Sequence, residues 1–458
     1  MSISASELDP VIKGLLSSDP FMVLEQQTLT RPQILSAAYH LSQVLPSKPV
    51  VFNLYTRRDF FLVMLLAVAM KDGVSILPPN TAENTLVELF HNAISEAGES
   101  VFLVMDPEQQ LALKSHPDLC VKSFDIPLLF AHPRVEESIL ISAFEKVLKA
   151  PIWLFTSGST GEAKRIVKTW QEMTILALQA IKRFEMMQPK YLVATVPSQH
   201  MFGLETTIFW PLFSKATVWV GRPIFAEDIK SALARFIQGS ALISTPLHLK
   251  KLMQFELDWE ISDLMVISAT APLNPELAQT IHAQMQANVF EVYGSTETAS
   301  IASRETLQSE YWSLYDGNKL LPEQQASLCK VHLLPLSKSY LLQDEVELCS
   351  DERKFKLIGR QSDLIKVAGK RGSLMNLNHH LQAIEGVEDG VFWVNDDNER
   401  LQALVVSDLT SQQIKHALSK SLDPVFLPRP IQFVASIPRN SLGKIQYQLV
   451  KNLIGRGG

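Results

Sequence analysis

The chain has 458 residues, 46% of them hydrophobic and 20% charged, with a formal net charge of −6. That length exceeds one ordinary domain of about 100–200 residues, and the composition is that of a globular enzyme rather than a disordered or fibrous chain. The acidic balance argues against a nucleic-acid footprint spread over the chain. Three widely spaced cysteines, Cys120, Cys329 and Cys349, lack CxxC or metal-ligand spacing and fit reduced thiols in a cytoplasm better than a disulfide framework or a zinc site.

Residues 1–7 hold no basic region and no apolar signal core, so export is not indicated. A strand is predicted at 50–54. The apolar run 60–70 is too short to span a bilayer and reads as a buried helix, so no membrane span is expected. Further strands are predicted at 101–105, 152–155, 216–220, 241–244, 264–268 and 289–293, several apolar at nearly every position, as in strands covered on both faces. Their alternation with helical stretches predicts α/β layers around a mostly parallel sheet. Ligands then bind beyond the C-terminal ends of the strands, where 156–164 and 294–298 both lie. After Arg360 the texture changes. Residues 360–458 carry twelve Lys/Arg and nine Asp/Glu, so this piece is near +3 and the rest near −9. Strands are predicted there at 364–367, 390–394 and 401–406, and helices at 376–384 and 411–420. No internal repeat or long low-complexity stretch is present.

Phe155-Thr156-Ser157-Gly158-Ser159-Thr160-Gly161-Glu162-Ala163-Lys164 follows the strand predicted at 152–155. Glycines let backbone N–H groups approach an anion, Ser and Thr hydroxyls add donors, and Lys164 supplies a cation, so the loop can wrap a polyphosphate. A solvated Ser/Gly linker is the bland reading. The spacing is not that of a Walker loop, because Arg165 stands where the Mg²⁺-binding Ser/Thr belongs; a P-loop kinase or GTPase is not expected.

Those ten residues resemble the phosphate loop of the adenylate-forming superfamily of acyl-CoA synthetases, luciferases and peptide-synthetase adenylation domains. Three further motifs recur in the family's order. Tyr293-Gly294-Ser295-Thr296-Glu297-Thr298 resembles the second core motif. Leu357-Ile358-Gly359-Arg360, followed by Asp363, Ile365, Lys366, Gly369 and Arg371, resembles the domain junction. Pro438-Arg439-Asn440-Ser441-Leu442-Gly443-Lys444-Ile445 resembles the C-terminal catalytic-lysine loop. The resemblance implies a large N-terminal α/β domain at 1–359 that binds ATP and the acid, and a small mobile α+β domain at 360–458.

It also implies a two-step reaction. A carboxylate attacks the α-phosphate of ATP to give acyl-AMP and pyrophosphate, and a thiol then displaces AMP to give a thioester. Thr156, Ser157, Gly158, Ser159, Thr160, Gly161 and Lys164 then hold the β- and γ-phosphates, Thr296 contacts the α-phosphate, Glu297 binds Mg²⁺, and Tyr293, Gly294 and Ser295 line the adenine side. A lone glutamate is usually a solvated charge, and a strand-end tyrosine can be core. Asp344 and Arg360 are the implied ribose contacts, although Leu342-Gln343 replaces the usual Thr-Gly before the aspartate. Lys444 is the implied catalytic lysine of adenylation. His200, in Val196-Pro197-Ser198-Gln199-His200-Met201-Phe202-Gly203-Leu204, positions the acid, with Phe202 and Gly203 beside it. Ala269, Thr270, Ala271 and Ala299 line adenine and acyl group, Thr270 replacing a frequent glycine. Ser362 occupies the hinge, where relatives usually carry Asp or Lys. His379-His380 reads as an exposed helical pair.

Residues 197–205 and 369–374 are similar to the small bacterial ligases of aryl-polyene and xanthomonadin-type pigment clusters. That likeness implies an aromatic acid, of 4-hydroxybenzoate or hydroxycinnamate type, loaded onto the 4′-phosphopantetheine of a stand-alone acyl carrier protein. CoA as acceptor, with an aryl or medium-chain fatty acid, is the alternative. A catalytically silent nucleotide sensor is the alternative of another class, and the presence of Lys444 and Glu297 speaks against it.

Overall fold

A computed structural model describes residues 12–25, 27–97, 100–109, 118–157, 163–188, 190–236, 239–255, 257–259, 261–323, 328–360, 364–367, 370–395, 398–439, 445 and 450. The chain divides into two compact units. The first is Met1–Ser309 with Leu314–Asn318 and Leu333–Lys338, and the second is Glu310–Ser313, Lys319–His332 and Ser339–Gly458.

The first unit holds strands β1 (Pro20–Val23), β2 (Thr28–Thr30), β3 (Val50–Asn53), β4 (Val74–Leu77), β5 (Val101–Val104), β6 (Pro151–Ser157), β7 (Ala163–Thr169), β8 (Tyr191–Ala194), β9 (Thr217–Trp219), β10 (Ser240–Ser244), β11 (Met265–Ser268), β12 (Asn288–Ser295) and β13 (Ala299–Glu305). One sheet runs β5-β3-β4-β6-β7, parallel except for β7, which turns back on β6. The other runs β13-β12-β11-β10-β8-β9-β1-β2, parallel from β12 to β1 with an antiparallel strand at each end. Every residue of β3, β5, β10 and β11 is buried, as strands covered on both faces should be. The helix Arg58–Met70 is buried along its whole length, which its all-round apolar sequence dictates. Thr169 caps the helix Trp170–Arg183 by accepting from Glu172 N at 3.2 Å. No helix among the described residues is long and apolar enough to cross a membrane.

The second unit includes all but a terminal residue of β14 (Trp312–Leu314), β15 (Asn318–Pro322), β16 (Cys329–Leu333) and β17 (Lys338–Leu341), and the whole of β18 (Asp344–Leu348), β19 (Lys354–Arg360), β20 (Leu364–Val367), β21 (Lys370–Ser373), β22 (Val387–Asn395), β23 (Asn398–Ser407) and β24 (Ile431–Phe433). They pair as β18-β19-β14, β15-β16-β17, β20-β21 and β22-β23-β24. The helices Leu374–Gln382 and Ser411–Leu418 pack Leu377, Leu381, Ile414 and Leu418 onto Phe392, Ala403 and Val405. His379 and His380 are half-buried rather than exposed, because this helix lies on the sheet. The molecule is thus an α/β protein with a large N-terminal sheet unit and a smaller C-terminal one. Every strand predicted from apolar runs is present within a residue or a few at each end. Strands β1, β2, β4, β7, β8, β13 to β19, β21 and β24 lie outside those predictions, being short or too polar for a single-sequence pattern.

Candidate functional site

The phosphate-loop motif lies in a β-hairpin. Cα partners run Phe155↔Arg165, Thr156↔Lys164 and Ser157↔Ala163, so Thr156, Ser157 and Lys164 belong to the ladder rather than to an open loop of 156–164. Gly158, Ser159, Thr160 and Gly161 lie outside the described residues. Lys164 is exposed. Arg165 Nη1 donates to both carboxylate oxygens of Glu96, at 2.7 and 3.0 Å, and the guanidinium lies over the Trp153 ring at 4.1 Å.

The second motif ends β12 and turns into β13. Tyr293 is half-buried, with a register shift between it and Gly294. A Cβ on Gly294 would stand 2.0 Å from the carbonyl oxygen of Ala299, so only glycine lets the two strands approach here. Ser295 N donates to Thr298 Oγ1 at 3.0 Å and Thr298 N to Ser295 Oγ at 3.2 Å, and the Thr298 hydroxyl donates to Ala299 O at 2.8 Å. Ala299 closes the turn at φ +55°. These hydroxyls are engaged within the turn, and the side chains at its tip, Thr296 and Glu297, are half-exposed.

On the neighbouring strand, β11 pairs with β12 up to Ser268↔Glu291, so Ala269, Thr270 and Ala271 leave the sheet beside Tyr293. Thr270 has φ +80°, a left-handed conformation that a β-branched residue rarely adopts. It explains why glycine is frequent at this position in the resembling family. The segment is anchored by buried Glu291, which accepts from Leu273 N at 2.8 Å and pairs with Arg304 at 2.6 Å.

Beyond β8 the chain reaches His200, half-buried at the N-terminus of a short helical turn, Met201–Leu204. A Cβ on Gly203 would meet Pro197 O at 2.0 Å, so the turn folds tightly onto its own entry. The next residues, Glu205–Phe209, widen into a π-helical turn, an arrangement frequent at functional sites. The Thr206 hydroxyl donates to Phe202 O and that of Thr207 to Gly203 O, both at 2.6 Å. The ends of β8 and β9 from which this segment emerges are held by Arg58. Its buried guanidinium donates to the carbonyls of Ala194 (2.8 Å), Val196 (3.1 Å), Trp219 (3.3 Å), Val220 (3.2 Å) and Gly221. Burial, assisted by nearby Arg222, lowers its pKa to about 9.

Two buried charges bind these segments together, and motif reading missed both. Glu205 accepts from Ser300 N at 3.0 Å and from the Ser300 hydroxyl at 2.6 Å. Burial pushes its carboxyl up to about 7, against the pull of Ser300 and of Lys168. Lys168, on β7, is 1% exposed and donates from Nζ to the carbonyl of Glu297. Burial lowers its ammonium to about 8. The signal was present in the sequence: period-2 alternation sets Lys168 on the face of Ile166 and Trp170, and Glu205 interrupts an otherwise apolar stretch.

In the second unit, Asp344 and Arg360 are direct cross-strand partners on β18 and β19, so the two implied ribose contacts share one end of a hairpin. Asp344 is half-buried. Ser362 and Lys444 lie outside the described residues. The segments flanking Lys444 are joined by an antiparallel bridge, Arg439↔Ile445, and Arg439 pairs with Asp389 through bonds of 2.6 and 2.8 Å.

No group of three or more His, Cys, Asp or Glu able to hold a metal ion occurs among the described residues. One carboxylate beside one hydroxyl nevertheless fits a Mg²⁺ ion arriving on a nucleotide, since Mg²⁺ takes one or two carboxylates and keeps water and phosphate oxygens. Glu297 with Thr296 supplies that donor set. The half-buried Tyr293 ring and the backbone of 269–271 fit a flat base beside it.

An AMP-binding enzyme family model matches residues 20–332, more than half of the chain. The chain is 24% identical over 449 residues to the 4-coumarate–CoA ligase-like 3 of Oryza sativa subsp. japonica, covering 84% of this chain and 71% of that protein. It is 23% identical over 311 residues to the 3,4-dihydroxybenzoate–[aryl-carrier protein] ligase of Bacillus anthracis, covering 65% of this chain and 72% of that one. A relative from Humulus lupulus, 23% identical, is spanned over 62% of its length, under two thirds. Among solved structures, the O-succinylbenzoate coenzyme A synthetase of Bacillus subtilis in complex with AMP matches with a TM-score of 0.77 at 16% identity, over 96% of this chain and 98% of that chain. At that identity the likeness is one of fold.

Proposed function

The chain belongs to the AMP-binding enzyme family, and from that premise we propose that it activates a carboxylic acid with ATP as acyl-AMP, releasing pyrophosphate, and passes the acyl group to a thiol. The observation that carries this reading is the convergence of three strand ends in one unit. The β12–β13 turn with Tyr293, Thr296 and Glu297 stands beside Ala269–Ala271 on β11, and Glu205–Ser300 and Lys168–Glu297 tie it to the His200 segment and to the phosphate hairpin. Attack of a carboxylate on a polyphosphate brings anion to anion, so catalysis must come from charge neutralisation and alignment. Lys164, the hairpin backbone and a Glu297-bound Mg²⁺ serve the first need, with Thr296 on the α-phosphate. His200, Phe202 and Gly203 border the acid. Asp344 and Arg360 hold the ribose, Lys444 acts in adenylation, and the piece that moves on the Ser362 hinge is 360–458.

The acid in this proposal is aromatic, of 4-hydroxybenzoate or hydroxycinnamate type, and the acceptor is the phosphopantetheine of a stand-alone carrier protein, in pigment assembly of the aryl-polyene kind. The aromatic acids in the names of the rice and Bacillus anthracis relatives support the acid class, and the aryl-carrier-protein ligase supports the acceptor. CoA as acceptor is the second reading, favoured by the CoA ligase named in the rice relative.

Carboxylate-dependent ATP–pyrophosphate exchange over benzoates, cinnamates and fatty acids tests the proposal. Strong exchange confined to aromatic acids is expected. Exchange with fatty acids alone removes the aromatic assignment, and none with any acid removes adenylation.

A further inference from the structure

A lysine ammonium buried to 1% exposure loses nearly all its hydration, and such groups persist only where partners compensate. Lys168 lies on a strand that turns Val167 outward, 51% exposed, and the lysine inward, the reverse of what burial alone favours. An apolar side chain of similar length would fill the same space without that desolvation. The charge therefore has a use where it points, and it points at the main-chain carbonyl of Glu297. On the far side of the same turn, the equally buried Glu205 holds both the N–H and the hydroxyl of Ser300. The Thr296–Ala299 turn is thus gripped from two elements distant in sequence, at 168 and 205, by charges of opposite sign.

We propose that Lys168 is a positioning residue for Glu297: its ammonium fixes the Glu297 carbonyl, Glu205 fixes Ser300, and the turn between them presents the Glu297 carboxylate to a divalent cation carried by the nucleotide. The proposal rests on the reading of Glu297 as a metal ligand. It extends the site to two buried residues, Lys168 at 1% and Glu205 at 2% exposure. Lys168 and Glu205 attract one another, and Glu172 and Glu297 attract the same ammonium.

The test is calorimetric binding of ATP by the full-length protein without any acid, with Mn²⁺ present and with all divalent ions chelated, alongside the electron paramagnetic resonance signal of bound Mn²⁺. Lys168→Met strands the Glu205 carboxyl and can fail to fold, so Lys168→Met/Glu205→Gln, which leaves no ionisable group at either position, is measured beside it. A loss of tenfold or more in affinity for Mn²⁺·ATP, with metal-free ATP affinity changed less than twofold, is expected in the folded variants. A parallel loss in both conditions marks a merely structural pair and overturns the proposal, as does no loss in either. Wild-type protein whose ATP affinity ignores Mn²⁺ overturns the metal reading of Glu297 and this inference with it. Wild-type protein that responds to Mn²⁺ alongside variants that respond equally overturns the inference alone.

Discussion

Gly294 stands where two backbones nearly touch. Its missing Cβ would lie 2.0 Å from Ala299 O, an atom of the next strand that cannot rotate away. Gly294→Ala must therefore push β12 and β13 apart at the turn that carries Thr296 and Glu297. A cost of about 2–3 kcal/mol is expected from overpacking of this kind, read as a fall in the denaturant midpoint, together with weakened ATP binding. An unchanged midpoint would refute the close approach. This glycine was legible in the sequence as part of a motif, although its reason was not. The motif names a residue type, and the physical requirement, strand against strand, appears only once β13 is seen to return antiparallel. Thr270 shows the converse: its departure from a frequent glycine was visible, while the positive φ it must tolerate was not. Lys168 was missed because a lysine two residues before a helix reads as solvated, and the alternation that groups it with Ile166 and Trp170 gained weight only once β7 was seen to pair with β6.

At the scale of elements, two buried charges make opposite kinds of prediction. Arg58 donates to carbonyls from the ends of both β8 and β9, and no carboxylate shares it among the bonds above. Its planar fork spans these acceptors, whereas an ammonium with three donors at one point cannot. Arg58→Lys is expected to cost more than about 3 kcal/mol because several buried carbonyls lose their donors, and its yield of soluble protein should fall sharply. A variant as stable as wild type would contradict the strut role. Glu205 acts through pH. Its folded pKa of about 7 is raised above the ordinary 4.5 by burial. The group therefore favours the folded state fully below pH 4.5, and this contribution is lost as pH rises to 7, amounting to about 3 kcal/mol when complete. In Glu205→Gln that dependence is absent. The stability of the variant relative to wild type should rise between pH 5 and 7, measured as paired urea midpoints, and a flat difference would place the Glu205 pKa near its ordinary value. The apolar helix behind Arg58 was readable from composition alone, but the hydrogen-bond partners of Arg58 and Glu205 named above are more than 90 residues away, beyond the reach of any local pattern.

For the whole molecule, the proposed function divides its chemistry along the chain. The first unit holds the convergence of strand ends, while the second holds the Asp344–Arg360 pair and the anchored base of the Lys444 segment. The change of charge at Arg360 was legible, since it is a sum over many residues. The inclusion of Glu310–Ser313, Lys319–His332 and residues 339–359 in the second unit was not, because it depends on long-range pairing such as Trp312 with Phe355. If Lys444 neutralises charge as the carboxylate meets the α-phosphate, it is needed in the first half-reaction and idle in the second, where a thiol displaces AMP. Lys444→Ala is then expected to lower carboxylate-dependent pyrophosphate exchange by a hundredfold or more, the scale of losing one electrostatic stabiliser of a transition state. Thioester formation from supplied acyl-AMP should stay within a few-fold of wild type. Running both half-reactions on one preparation separates this role from a general loss of fold, which would lower both. Equal losses would deny Lys444 its part in adenylation, and full exchange activity in the variant would move the catalytic cation to another residue, with Lys164 the first to examine.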